Sequence, residues 1–170
     1  MERRQILSML VHNHPGVLLR ITGLFNRKGF NIDSLTVSET HDPRFSRMTI
    51  VIRGNDALAE QVRRLVSKVA DVKEARILPD ETAVFGELML IKVSAGPEDR
   101  AAVHKIAVTY GADVVNIGQR SMTLQVTGAP EELDELVTHL GKQGILELVR
   151  TGLTALEKGD GCLVDHIAAD

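Results

Sequence analysis

Apolar residues in "RQILSMLV" (4–11) form a short, nearly continuous run, the pattern of a strand buried on both faces or at a sheet centre. After Pro15, the residues Val17, Leu18, Ile21, Leu24 and Phe25 recur at helical spacing. Proline suits a first helical turn, where its missing N–H would be unpaired anyway, and Gly29 fits a left-handed helix end. "NIDSLTV" alternates, and the polar, proline-containing "THDPRFS" (40–46) leads to "RMTIVIR", which sets Met48, Ile50 and Ile52 on one face. These two segments predict a hairpin-like strand pair. Asn55 and Asp56 give a cap signal for a helix with Leu58, Val62, Leu65, Val66 and Val69 on one stripe, and "DVKEARIL" follows as a strand. Residues 4–79 thus predict strand, helix, strand, strand, helix, strand.

The polar stretch "PDETAVFGE" (79–87) interrupts the pattern, and a second unit follows in the same order. "LMLIKVSAG" predicts a strand, and "PEDRAAVHKIAVTYG" a helix with Val103, Ile106, Ala107 and Tyr110 inward. "ADVVNIG" and "SMTLQVTG" predict strands, "APEELDELVTHLG" a helix with Leu133, Leu136, Val137 and Leu140 on one face, and "ILELVR" a last strand. The two units align in register. Pro15 matches Pro97, Ile21 Val103, Leu24 Ile106 and Gly29 Gly111, all 82 positions apart (15 against 97). Thr49 then matches Thr123, Gly54 Gly128, Val62 Leu136 and Arg76 Arg150, 74 positions apart (49 against 123), because the loop carrying "THDPRFS" is shorter in the second copy. The expected fold is α+β, two ferredoxin-like βαββαβ units, each an antiparallel sheet with both helices on one face. The expected divisions are a first domain at 1–79, a linker at 80–86, a second domain at 87–153 and a tail at 154–170.

Composition narrows the function classes. Of 170 residues, 44% are hydrophobic and 25% charged, ordinary globular usage, while aromatics at 3% make an aliphatic core and few stacking platforms for nucleic acid. A net charge of -3 lacks a basic nucleic-acid footprint. Cys162 is the only cysteine, which excludes an internal disulfide framework and a Cys-based zinc cluster and fits a reducing compartment. No apolar run reaches the ~18 residues of a membrane span and no signal-peptide pattern opens the chain, so a cytoplasmic protein is expected, with neither membrane nor nucleic acid as partner.

The differences between the copies are more informative than the matches, since a binding feature need appear in only one. Gly16 becomes Glu98, Asn13 becomes Ala95 and Asn31 becomes Asp113. These three residues lie at the first strand-to-helix turn and at the start of the second strand, ends that can converge in this topology. A helix N-terminus offers free N–H donors to a carboxylate, and a glycine there leaves the backbone open to approach. Asparagine amide oxygens accept from an ammonium group, and Val17, Leu18 and Ile32 favour an apolar side chain. A free amino acid carries all three features. The plainer reading is a glycine tolerating a tight turn and two asparagines capping backbone groups.

"NHPGVLLRITGLFNRKGFNIDSLTV" resembles the signature of ACT domains, the small-molecule sensing modules of amino-acid metabolism. "RRQILSMLV", "GLFNRKGFNIDSLTV", "SRMTIVIRG", "RTGLTALEKGD" and the two-unit layout together resemble the small regulatory subunits of acetolactate synthase across nearly the whole chain, "GCLVDHIAAD" excepted. The resemblance implies an N-terminal ACT domain in a non-catalytic subunit, with no cofactor of its own. Its partner would be a large catalytic subunit holding thiamine diphosphate, FAD and Mg2+, which the small subunit activates and makes sensitive to feedback by valine or a related branched-chain amino acid. It also implies a homodimer formed through the ACT units. Asn13, Gly16, Asn31 and Ile32 match the family's effector-binding positions where two protomers meet, and Pro15, Val17 and Leu18 flank them; Pro15 stands where many members have a small polar residue, as in other ACT domains.

Other chemistries have less behind them. His12 and His14 form an H-x-H that would suit a metal sensor of this fold, but two ligands are too few, and His41, His104 and His139 are dispersed. An acylphosphatase-like enzyme needs an anion-cradling loop with an activating arginine, whereas Arg20 follows the turn by several residues and no phosphate loop or nucleophile constellation is visible. An RNA-recognition module would carry aromatics on the Met48–Ile52 strand, where there are none. No metal site and no catalytic residues are expected.

Overall fold

The computed structural model describes residues 3–163, which divide into two compact units, residues 3–85 with 153–163, and residues 86–152. In the first, β1 (Arg3–His12), α1 (Val17–Lys28), β2 (Ser34–Glu39), β3 (Phe45–Gly54), α2 (Asp56–Val66) and β4 (Val72–Leu78) follow the expected order. The antiparallel sheet runs β2-β3-β1-β4. Odd residues of β1 face the helices: Leu7, Met9 and Val11 pack with Met48, Ile50 and Ile52 of β3 and with Val17, Ile21, Phe25, Val62 and Val66 from the helical stripes. Gly29 ends α1 at φ 71°, and Asn55 Oδ1 caps α2 by accepting from the Leu58 N–H at 2.9 Å.

The other face of this sheet explains why β1 reads as a continuous apolar run. β5 (Ala83–Ser94) begins inside the stretch expected as a linker, after a 3-10 turn at Asp80–Thr82. Residues 154–157, expected in a tail, form β9 (Thr154–Glu157), which pairs with β5. Leu153 and Ala155 pack against Ile6, Val51, Leu78 and Ala83, and Leu163 packs against Leu10 and Phe45. Polar contacts fix the segment: Thr36 donates to the Leu153 carbonyl at 2.9 Å, the Leu153 N–H donates to Ser34 Oγ at 3.0 Å, and Arg76 pairs with Glu157 at 3.0 Å. The remainder of the expected tail, 164–170, lies outside the described residues.

The second unit holds the rest of β5, then α3 (Arg100–Thr109), β6 (Asp113–Ile117), β7 (Ser121–Gly128), α4 (Pro130–Leu140) and β8 (Ile145–Arg150). Its sheet order, β6-β7-β5-β8, repeats that of the first unit. The repetition reaches into irregularities. The bulge between Leu10 and Val11 against β4 recurs between Lys92 and Val93 against β8, and the positive φ of Gly29 recurs at Gly111. Both units are thus α+β and ferredoxin-like, with helices on one sheet face. Among the described residues no helix is long and apolar enough to cross a membrane.

Candidate functional site

β1 ends at His12, and the chain turns through Asn13, His14, Pro15 and Gly16 into α1. Gly16 is the N-cap, at φ 91° and ψ -11°, and no side chain caps the helix start. The first-turn N–H groups have no intrahelical acceptor, and no acidic residue occupies the first turn to compete for them. The left-handed backbone of Gly16 disfavours any side chain on its own account, and the missing side chain leaves the approach to those N–H groups open. Pro15 is exposed at this turn, Leu18 is 43% exposed on the first helical turn, and Leu19 beside it is 75% exposed. Val17, by contrast, is 3% exposed and belongs to the core, so it shapes the turn from beneath and leaves the apolar contact surface to its neighbours.

Asn13 uses both amide hydrogens within the chain. Its Nδ2 donates to Glu39 Oε2 and to the Pro43 carbonyl, each at 2.9 Å, while its main-chain N–H donates to Arg44 O at 2.8 Å. That leaves Oδ1 as an acceptor. The loop receiving these bonds is clipped by Arg44 on Asp42, whose carboxyl the guanidinium hydrogen bonds hold down at about 2. Asn31 is arranged similarly: its Nδ2 donates to Asp33 Oδ1 at 3.2 Å, and Arg53 fixes Asp33 at 2.7 Å. Ile32, half-buried, packs against the first core. Both asparagines thus present an oxygen suited to an ammonium donor, with carboxylates close by.

Within one chain, however, the two halves do not converge. β2 runs parallel to β1, with Ser34 level with Val51 and Ile6, and Glu39 level with Ser46 and Val11. Asn31 and Ile32 therefore lie at the start of β1, and Asn13 and Gly16 beyond its end, separated by roughly 25 Å of strand length. The expected convergence is corrected by topology: α1 returns the chain to the sheet's first end before β2 sets out. Two clefts, of about 390 and 300 Å3, lie elsewhere, one at Arg3–Gln5 and Asp56, the other at Tyr110 and Glu132.

Asp71 and Glu39, which no sequence pattern marks, and Arg20, weighed from the sequence only as an activating arginine, stand beside the turn. Asp71, 8% exposed, sits between His14 Nε2 at 3.0 Å and Arg20 Nε at 3.0 Å, and its carbonyl accepts from the His12 N–H at 2.9 Å. Glu39 holds Asn13. Only the spacing of four from Gly16 to Arg20 was a usable signal, since residues four apart share a helix face. The H-x-H histidines stack at 6.2 Å, and among the described residues no group of three or more His, Cys, Asp or Glu is placed to hold a metal.

Two family models match: an "AHAS small subunit-like ACT domain" over residues 7–74, and "Small subunit of acetolactate synthase" over residues 86–159. A "Probable acetolactate synthase small subunit" of Methanothermobacter thermautotrophicus is 39% identical over 155 residues, covering 91% of this chain and 92% of the relative. The acetolactate synthase small subunit of Mycolicibacterium smegmatis is 37% identical, covering 90% of each chain. The crystal structure of the acetolactate synthase small subunit from Thermotoga maritima superposes with a TM-score of 0.86 at 30% identity, covering 94% of this chain and 99% of that one.

Proposed function

This chain belongs to the family of acetolactate synthase small subunits, and we propose that it activates a catalytic acetolactate synthase subunit and makes it responsive to a branched-chain amino acid, valine foremost. The observation carrying this reading is the divided site. β2 is an edge strand that joins the two halves: Asn31 and Ile32 precede it, and Glu39 at its end holds Asn13. If the β2 edges of two copies pair antiparallel, the start of each β2 meets the end of the other. Asn31 and Ile32 of one protomer then flank Asn13 and Gly16 of its partner, twice per dimer, as an isologous interface requires.

Each completed site would offer an amino acid three complementary features. The α1 N-terminus receives the carboxylate, the two asparagine oxygens receive the ammonium group, and Leu18 and Ile32 receive an aliphatic side chain. Effector bound across the seam favours the paired state, and a coupling of about 1 to 3 kcal/mol to the catalytic partner is typical of such regulation. Thiamine diphosphate, FAD and Mg2+ would reside in that catalytic subunit, where the reaction takes place.

Calorimetric titration of the protein with valine, leucine and isoleucine tests this directly. Saturable binding at one effector per protomer, lost in Asn13→Ala, is the expected result, followed by activation and feedback inhibition when the catalytic subunit is added. Absence of binding both alone and in the complex would refute the sensor.

A further inference from the structure

We infer that Arg20, held in place by the buried carboxylate of Asp71, is the receptor for the carboxylate of the amino-acid effector; this rests on the effector-site reading above. The guanidinium occupies the right place. Arg20 lies one helical turn beyond Gly16, and its Nη2 stands 3.8 Å from where a Cβ on Gly16 would be. The contact with Asp71 engages Nε, turning the fork of the guanidinium about a fixed point. A carboxylate settling over Gly16 would meet the first-turn N–H groups from below and a cation from the side. Backbone donors alone carry a partial charge, whereas a guanidinium pairs with a carboxylate through two parallel hydrogen bonds.

Asp71 is a positioning residue. It comes from the connection between α2 and β4, and its two oxygens tie His14, before the turn, to Arg20, after it. A structural role alone would require the second unit to carry the same set, because the backbone around it is repeated. The His12 N–H donates to Asp71 O at 2.9 Å, as the Ser94 N–H does to Gly144 O at 2.9 Å; the Asn13 N–H donates to Arg44 O, as the Ala95 N–H does to Arg120 O. Yet the positions of Asp71, Arg20, His14 and Gly16 hold Gly144, Ala102, Gly96 and Glu98 in the second unit. The turn folds without the constellation, and the constellation is present only where the asparagines are. A glutamate at the Gly16 position would itself repel a carboxylate, so the second copy is closed to this ligand by charge as well.

The test compares valine with valinamide, which keeps the ammonium group and the side chain but has no anion. In calorimetric titrations of the full chain, Arg20→Gln should weaken valine by about tenfold or more while changing valinamide less than about threefold, so that the preference for the acid collapses. Arg20→Lys should restore part of that preference, which a merely unfolded or repacked turn would not do. Asp71→Asn should lower the preference too, without touching the ligand. Circular dichroism of Arg20→Gln should match the parent and its melting temperature should fall by no more than a few degrees, since the Arg20 side chain is more than half exposed and Asp71 keeps its contact with His14. Retention of the full valine-over-valinamide preference in Arg20→Gln would overturn the inference and leave the effector site standing. A parent protein that binds no branched-chain amino acid, alone or with its catalytic subunit, would overturn the effector site and this inference together.

Discussion

Gly16 carries two demands that the sequence alone presents as one. Its absence from the second copy makes it a candidate ligand position, but its φ of 91° is a backbone requirement that any side chain would strain by about 1 to 2 kcal/mol. A loss of feedback in Gly16→Asp would therefore be ambiguous by itself. Asparagine and aspartate enter the left-handed region with similar ease, so the difference between Gly16→Asn and Gly16→Asp isolates charge. Both variants should melt within a few degrees of each other, and Gly16→Asp should bind valine at least about tenfold more weakly than Gly16→Asn in calorimetry. Equal affinities would mean that no carboxylate lies over this turn. The same copy comparison singles out Asn13 and Asn31 as candidates, and the N–H groups they commit to Glu39, Pro43 and Asp33 add which atom is left to offer. Asp71 was not legible, because its partners His14 and Arg20 lie more than fifty positions away, and no local pattern distinguishes a loop aspartate that anchors a turn from one that is merely solvated.

The elements themselves were readable because each has one buried stripe, and the order of the two units follows from apolar spacing and from Gly29 and Gly111. What spacing could not convey is direction. A hairpin-like β2 and β3 was expected, but which end of β2 approaches the α1 turn depends on the helix having carried the chain back across the sheet first. β2 is consequently the spacer within one chain and, as an edge strand, the edge that the proposed dimer would pair. The Thr40 N–H donates to Phe45 O, so the alternation of an antiparallel ladder turns the N–H groups of Ser38 and Thr36 toward β3 and that of Val37 outward. Val37→Pro should then remove an outward donor while sparing the β2–β3 ladder, as proline does on edge strands. Sedimentation velocity should show this variant shifted to monomer at concentrations where the parent is dimeric, and valine binding should fall with it. A monomer that binds valine as tightly as the parent dimer would show that one chain suffices for the site.

At the scale of the whole molecule, the chain does not run from a first domain into a second and stop. It leaves the first unit after Phe85 and returns at Leu153, so the second unit is inserted between two covalent connections. The return segment was unreadable from apolar spacing because β9 is only four residues long, and Leu153 and Ala155, followed at once by the apolar Leu156, make an alternation too short to separate from a loop. Its energetic weight is readable from the structure. Leu153 is 1% exposed against Ile6, Val51 and Leu78, whereas Leu156, one strand position beyond Ala155, is 58% exposed. Leu153→Ala should therefore cost about 2 to 5 kcal/mol, from the lost transfer of the side chain and the cavity left behind, while Leu156→Ala should stay within about 0.5 kcal/mol of the parent. Native-state hydrogen exchange locates the effect as well as sizing it: the β1 and β3 amides of the first unit should exchange faster in Leu153→Ala, with β7 in the second unit unaffected. Equal acceleration in both units would mean that they unfold as one, in which case the return segment stabilises the entire chain; no acceleration in β1 would show that the sheet's second face does not depend on residues 153–163 for its cover.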